Sequence, residues 1–197
     1  LASFLIGDDG SITDETIEHY RRRAAGGPAM VIMEACAVSP EGIVSPHQPV
    51  IYDDRHIDGL SKIAATIKEE GAVAALQIHH GGRQTSAKVI HRKPLAPSPL
   101  PCPAIRGDVE PLTVDGVQTI DHSFGVAAAL AYRAVVELNE SPGAHVYPVN
   151  QFLSKFSNIR EDEYGGDVAG RTRFAREIVE EVCRRTDHAL PVSFKIS

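Results

Sequence analysis

Apolar residues along the chain follow two alternating rhythms: stretches at helical spacing and short, continuously apolar runs. Residues 13–25 place Ile17, Tyr20 and Ala24 on one face of a predicted helix, which Gly26-Gly27 ends. Ala29-Met30-Val31-Ile32-Met33 follows as a buried strand. Residues 54–70 carry Ile57, Leu60, Ile63, Ala64 and Ile67 at helical spacing, with Asp53 and Asp54 at the start and Gly71 past the end. The run 72–78 is the next strand. Helical patterns return over 114–135 and 170–185, the second with Phe174, Ile178, Val179 and Val182 inward, and a last strand spans 191–197. Residues 83–111 are proline-rich and aperiodic, which predicts a long loop of the kind that usually carries function.

Continuously apolar strands alternating with amphipathic helices mean a parallel sheet covered on both faces or closed into a barrel. No GxGxxG follows any strand, which argues against a dinucleotide-binding fold. The chemically rich residues stand just after the strands: Glu34, His79-His80, and the segment from His145 to Asn150. That is the end of a (β/α)8 barrel where active sites are built. The expected architecture is therefore α/β, a (β/α)8 barrel.

Composition narrows the partners. The 197 residues are 43% hydrophobic and 23% charged, enough for a sizeable core, and carry a formal charge of −6. An acidic balance without a basic cluster argues against nucleic acid or an anionic membrane. Arg21-Arg22-Arg23 reads as the solvated end of a helix. No apolar stretch approaches the roughly 20 residues that span a bilayer. Cys36, Cys102 and Cys183 form no CxxC pair, which argues against a disulfide framework and for a reducing, cytoplasmic compartment. The chain starts at Leu1, its only methionines are Met30 and Met33, and it stops in a strand-like alternation. It is expected to be a piece of a longer chain, working as a homo-oligomer on a small molecule.

Two clusters hold the candidate chemistry. In Gln77-Ile78-His79-His80-Gly81-Gly82-Arg83-Gln84, the glutamine offers a donor and an acceptor to a flat heterocycle, and the glycines allow close backbone approach. Paired histidines at a strand end are equally compatible with plain hydrogen-bonded surface groups. Metal ligation by His79, His80 and His145, as in a barrel hydrolase, lacks HxH spacing and a carboxylate partner. In the second cluster, His145 and Tyr147 stand two apart on an extended segment and so face one way, able to present two donors to one polar ligand. A half-buried tyrosine with its hydroxyl in water fits that spacing as well.

These residues resemble a known family. Gln77 to Arg83 looks like the Q-L-x-H-A-G-R signature of the Old Yellow Enzyme family of FMN-dependent NAD(P)H:flavin oxidoreductases. Residues 150–173 resemble its N-Q-F-L-S-x-x-S-N-x-R-x-D-E-Y-G-G-S-x-x-N-R-x-R-F run. Residues 33–42 and Lys93-Pro94-Leu95-Ala96-Pro97-Ser98 are similar to further family segments, so the resemblance extends over essentially the whole chain. The nearest branch is the bacterial one with dienoyl-CoA reductase-like members. The resemblance implies FMN at the C-terminal strand ends and NADH or NADPH as reductant. It further implies an activated alkene as substrate, with residues 1–197 supplying barrel strands two to five of one FMN-binding domain. It leaves an iron–sulfur cluster undecided, because the family's cluster cysteines lie beyond Ser197.

By the same resemblance, Gln77 binds the flavin's pyrimidine edge and the backbone N–H of Ala35 approaches O4 and N5. Lys195 stands in for an arginine facing N1 and O2; it keeps the charge and loses the planar fork. Tyr147 matches the tyrosine that protonates the alkene, and His145 the second of two donors gripping the substrate's activating oxygen. Pro142 occupies the place of the first donor, and Asn139, Glu140 and Ser141 are poor strand formers where the fold needs its fourth barrel strand. Without the phosphate-binding loops after strands seven and eight, the piece is not expected to hold FMN tightly alone. The alternative within the fold is a flavin-binding or flavin-free barrel without alkene reductase activity. Outside it stand the metal hydrolase and a non-catalytic half-barrel that works only by pairing with another chain.

Overall fold

A computed structural model describes residues 2–196. Helix α1 (Asp14–Ala24) opens on Thr13, whose side chain accepts the Thr16 N–H; Asp14 and Glu15 occupy its first turn and Arg21, Arg22 and Arg23 its last. Both charge sets complement the helix dipole. Strand β1 (Met30–Ala37), helix α2 (Ile57–Glu69) and strand β2 (Val73–His79) follow. β1 runs further than its apolar pattern predicts, because Cys36 and Ala37 are also buried and pair with β2. Glu34 and His79 therefore lie within strands rather than after them.

The predicted loop 83–111 is partly ordered. It holds a short helix α3 (Ala87–Ile90) and two short parallel strands, β3 (Leu95–Ala96) and β4 (Glu110–Pro111). Arg160 ties the loop down by donating to the Pro97 and Leu112 carbonyls.

Helix α4 (Val114–Arg133) leads to strand β5 (Leu138–Gly143), short helix α5 (Pro148–Leu153), helix α6 (Val168–Arg185) and strand β6 (Val192–Ile196). Ser197, the last residue of the predicted final strand, lies outside the described residues. The main sheet has the order β1-β2-β5-β6, parallel throughout. Its helix-covered face packs Leu76 and Ile78 with Ile63 and Ile67 of α2, and α4 and α6 meet through Phe124 and Phe174, whose rings lie 6.4 Å apart.

β5 forms despite its poor pattern because it is sandwiched. Asn139 is level with Leu76 of β2 and Val192 of β6, and Glu140 with Gln77 and Ser193. Backbone pairing on both sides overrides weak side-chain preference. The cost is visible on the face opposite Glu140. Asn139 and Ser141 are fully buried there, and neither the Asn139 amide atoms nor the Ser141 hydroxyl has a partner among the described residues.

Candidate functional site

At the C-terminal ends of the strands a cavity of about 460 Å3 opens, and Ala35, Gln77, His145, Tyr147 and Lys195 all line it. It adjoins a second space of about 470 Å3, with Glu34, Gln77, Glu140 and Lys195 on its wall.

A bulge in β1 shapes one side. Met33 pairs with Leu76 and Cys36 with Ile78, so Glu34 and Ala35 stand opposite Gln77 alone. Such an extra residue falls outside the ladder, which leaves Ala35 backbone at the cavity wall. Glu34 is buried but well satisfied: its carboxylate accepts the Ser3 N–H at 2.9 Å, the Ser3 hydroxyl at 2.5 Å and the Tyr20 hydroxyl at 3.3 Å. Tyr20 in turn accepts the Glu34 N–H at 2.8 Å, and burial with the Glu34 charge pushes its pKa up.

Gln77 donates from Nε2 to Glu140 Oε1 at 2.5 Å. Alternation along two adjacent parallel strands puts both side chains on the inner face. With one Nε2 N–H given to a carboxylate, Gln77 still has a carbonyl oxygen and a second N–H with which it can bind a ligand. His80 accepts the Gly82 N–H on Nδ1 at 2.9 Å, and burial lowers its pKa to about 4. It is a neutral, structural histidine.

His145 and Tyr147 do line one cavity, but not for the expected reason. The segment is bent, not extended: His145 has φ 56° and Val146 φ 62°. Consecutive left-handed residues without glycine are costly, above all for a β-branched side chain. Two glutamines hold the bend. Gln84 donates to the His145 carbonyl at 2.8 Å, and Gln151 donates to the Val146 carbonyl at 2.6 Å. Behind Gln84, the Cys102 thiol lies 3.3 Å from Oε1 and fixes the amide's orientation. Gly82, with φ 55°, is a glycine by necessity: a Cβ there would lie 2.8 Å from Gln151 Nε2. Tyr147 then returns to extended geometry (φ −75°, ψ 168°) and caps α5. Burial raises the pKa of its hydroxyl, so the proton stays on at neutral pH.

Gln48 and Glu140 escape a reading of motifs. Glu140 could be found only by pairing β5 with β2 and noticing that it faces Gln77. The family description "NADH:flavin oxidoreductase / NADH oxidase" matches residues 5–197. The chain is 35% identical over 199 residues to an NADH oxidase of Thermoanaerobacter brockii, covering 100% of this chain and 31% of that one. It is also 35% identical over 188 residues to an NADPH dehydrogenase of Clostridium acetobutylicum, covering 95% and 55%. The chain thus spans roughly a third to a half of these relatives. The Old Yellow Enzyme homologue from Zymomonas mobilis superposes with a TM-score of 0.90 at 25% identity over 98% of this chain and 57% of its own. A 2-naphthoyl-CoA reductase complex superposes at 0.92 with 25% identity, over 98% and 32%. The four-stranded sheet and its helices are thus part of the Old Yellow Enzyme barrel.

Proposed function

The chain belongs to the NADH:flavin oxidoreductase / NADH oxidase family, and on that footing we propose that it serves an FMN-dependent oxidoreductase reducing activated C=C bonds with NAD(P)H. Bound FMN supplies the hydride relay between nicotinamide and alkene. The residues present fit that group. Gln77 keeps a carbonyl and an N–H for a pyrimidine edge, the bulged Ala35 leaves backbone at the wall, and Lys195 brings a cation to the same cavity. A cation there favours a ligand that gains negative charge. The whole described chain is read as part of one FMN-binding barrel domain.

The observation that carries the reading is Tyr147, a phenol kept protonated by burial, beside His145 on the wall shared with Gln77 and Lys195. His145 grips the activating oxygen of the substrate, and Tyr147 delivers a proton to the α-carbon. No described helix is long and apolar enough to cross a membrane. Cys36, Cys102 and Cys183 are free thiols, which supports a cytoplasmic site of action, and we place the protein there as a homo-oligomer.

Stopped-flow kinetics of the two half-reactions test the proposal. Tyr147→Phe is expected to slow reduction of a cyclic enone by about 10²- to 10⁴-fold, the usual worth of a positioned general acid. Flavin reduction by NAD(P)H keeps its rate. Equal losses in both halves, or a purified full-length protein without flavin absorption, would refute the assignment.

A further inference from the structure

Pro142 and His79 are neighbours on the inner face of the sheet. Gln77 and Glu140 stand level on β2 and β5 with their side chains in contact. Two residues further along each strand, alternation puts His79 and Pro142 side by side and facing the same way, about one strand spacing apart. Both line the cavity that holds His145 and Tyr147. Proline offers no donor there; histidine does.

The protonation of His79 follows from its surroundings. Gln48 is held at both ends of its amide: Oε1 accepts the Val44 N–H at 2.8 Å, and Nε2 donates to the Ala35 carbonyl at 2.9 Å. The second N–H of that Nε2 meets His79 Nε2. His79 Nε2 must therefore accept, and the proton of the neutral ring sits on Nδ1. That N–H has no acceptor among the described residues, although the side chain is 1% exposed. Buried donors are rarely left unpaired, and the His79 side chain lines the cavity, with the Tyr147 ring edge-to-face at 5.0 Å.

We propose that the His79 Nδ1–H supplies, from β2, the hydrogen bond to the substrate's activating oxygen that β5 cannot offer at Pro142, with His145 as the second donor. The inference rests on the alkene-reductase reading above. Burial lowers the His79 pKa to about 3, so the ring donates as a neutral imidazole throughout the physiological range. Gln48 acts behind it as a positioning residue that fixes the tautomer.

Nitrogen NMR of histidine-labelled protein with FMN present, titrated with 2-cyclohexen-1-one, tests this directly. The His79 proton is expected on Nδ1, and the His79 and His145 signals are expected to shift together as enone is added. A proton on Nε2 overturns the proposal. A shift at His145 with none at His79 also overturns it, while leaving the alkene-reductase reading intact; no shift at either sinks both. In parallel, His79→Phe keeps a ring against Tyr147 and removes the donor. Enone turnover should fall about 10²- to 10³-fold, the usual loss for one such donor. Unchanged turnover would count against His79.

Discussion

Replacing Asn139 with valine should stabilise the protein, and the size of the gain can be worked from its environment. The side chain is fully buried on the helix-facing side of β5, with both Oδ1 and Nδ2 unpartnered among the described residues. A buried polar group left unsatisfied costs about 1–3 kcal/mol. Valine removes both polar atoms at similar volume and prefers strands on a scale spanning about 1 kcal/mol. The expected gain is about 2–3 kcal/mol. For a domain of this size that raises Tm by roughly 4–12 °C. Urea titration followed by circular dichroism should show the midpoint rising with m unchanged. A lowered or unmoved midpoint would refute the reasoning, since it would mean that a buried water or a local shift satisfies the amide. Ser141→Val, two residues along on the same face, should act in the same direction by less, having one orphaned hydroxyl instead of an amide.

Other substitutions probe the bend and the helix layer. Gly82→Ala forces a Cβ to 2.8 Å from both Gln151 Nε2 and Pro148 Cγ at a positive φ; it should cost about 2–3 kcal/mol in thermal melts. Val146→Gly relieves about 1–2 kcal/mol of left-handed strain against roughly 0.5–1 kcal/mol of added chain entropy, so a small rise in Tm is expected. Asp121 on α4 is partly buried and faces Glu177, Glu180, Glu181 and Arg184 of α6; burial first, and those carboxylates next, raise its pKa to about 7. Between its unfolded value near 3.8 and about 7 the folded state binds the extra proton, so stability from this group is full at low pH and lost as pH rises through 7. Asp121→Asn should flatten that part of the Tm–pH curve. An unchanged slope would rule out Asp121 as its source.

The helices were legible because their apolar faces are regular and their ends carry ordinary signals, such as Thr13 before α1 and Gly71 after α2. β5 was not, because its strand character comes from partners 60 residues upstream and 50 downstream, roughly, rather than from its own residues. The five expected site residues do meet at one cavity, yet the backbone that brings His145 and Tyr147 together could not be read. A valine at φ 62° contradicts local preference and persists only because Gln84 and Gln151 hold it from outside the bend. Gln48 gave no local sign either, since its importance lies in two contacts with β1 and β2.

The clamp around His145 and Val146 also has a consequence for how this sequence can change over generations. Gly82 makes room for Gln151, Gln151 and Gln84 each hold one carbonyl of the bend, and Cys102 sets the direction of Gln84. Four positions spread over about 70 residues of chain therefore form one unit of inheritance. A drift at Gln84 that would be harmless on an open surface becomes tolerable here only once the bend has relaxed, for example by glycine at position 146. Among homologues the pair should accordingly vary together.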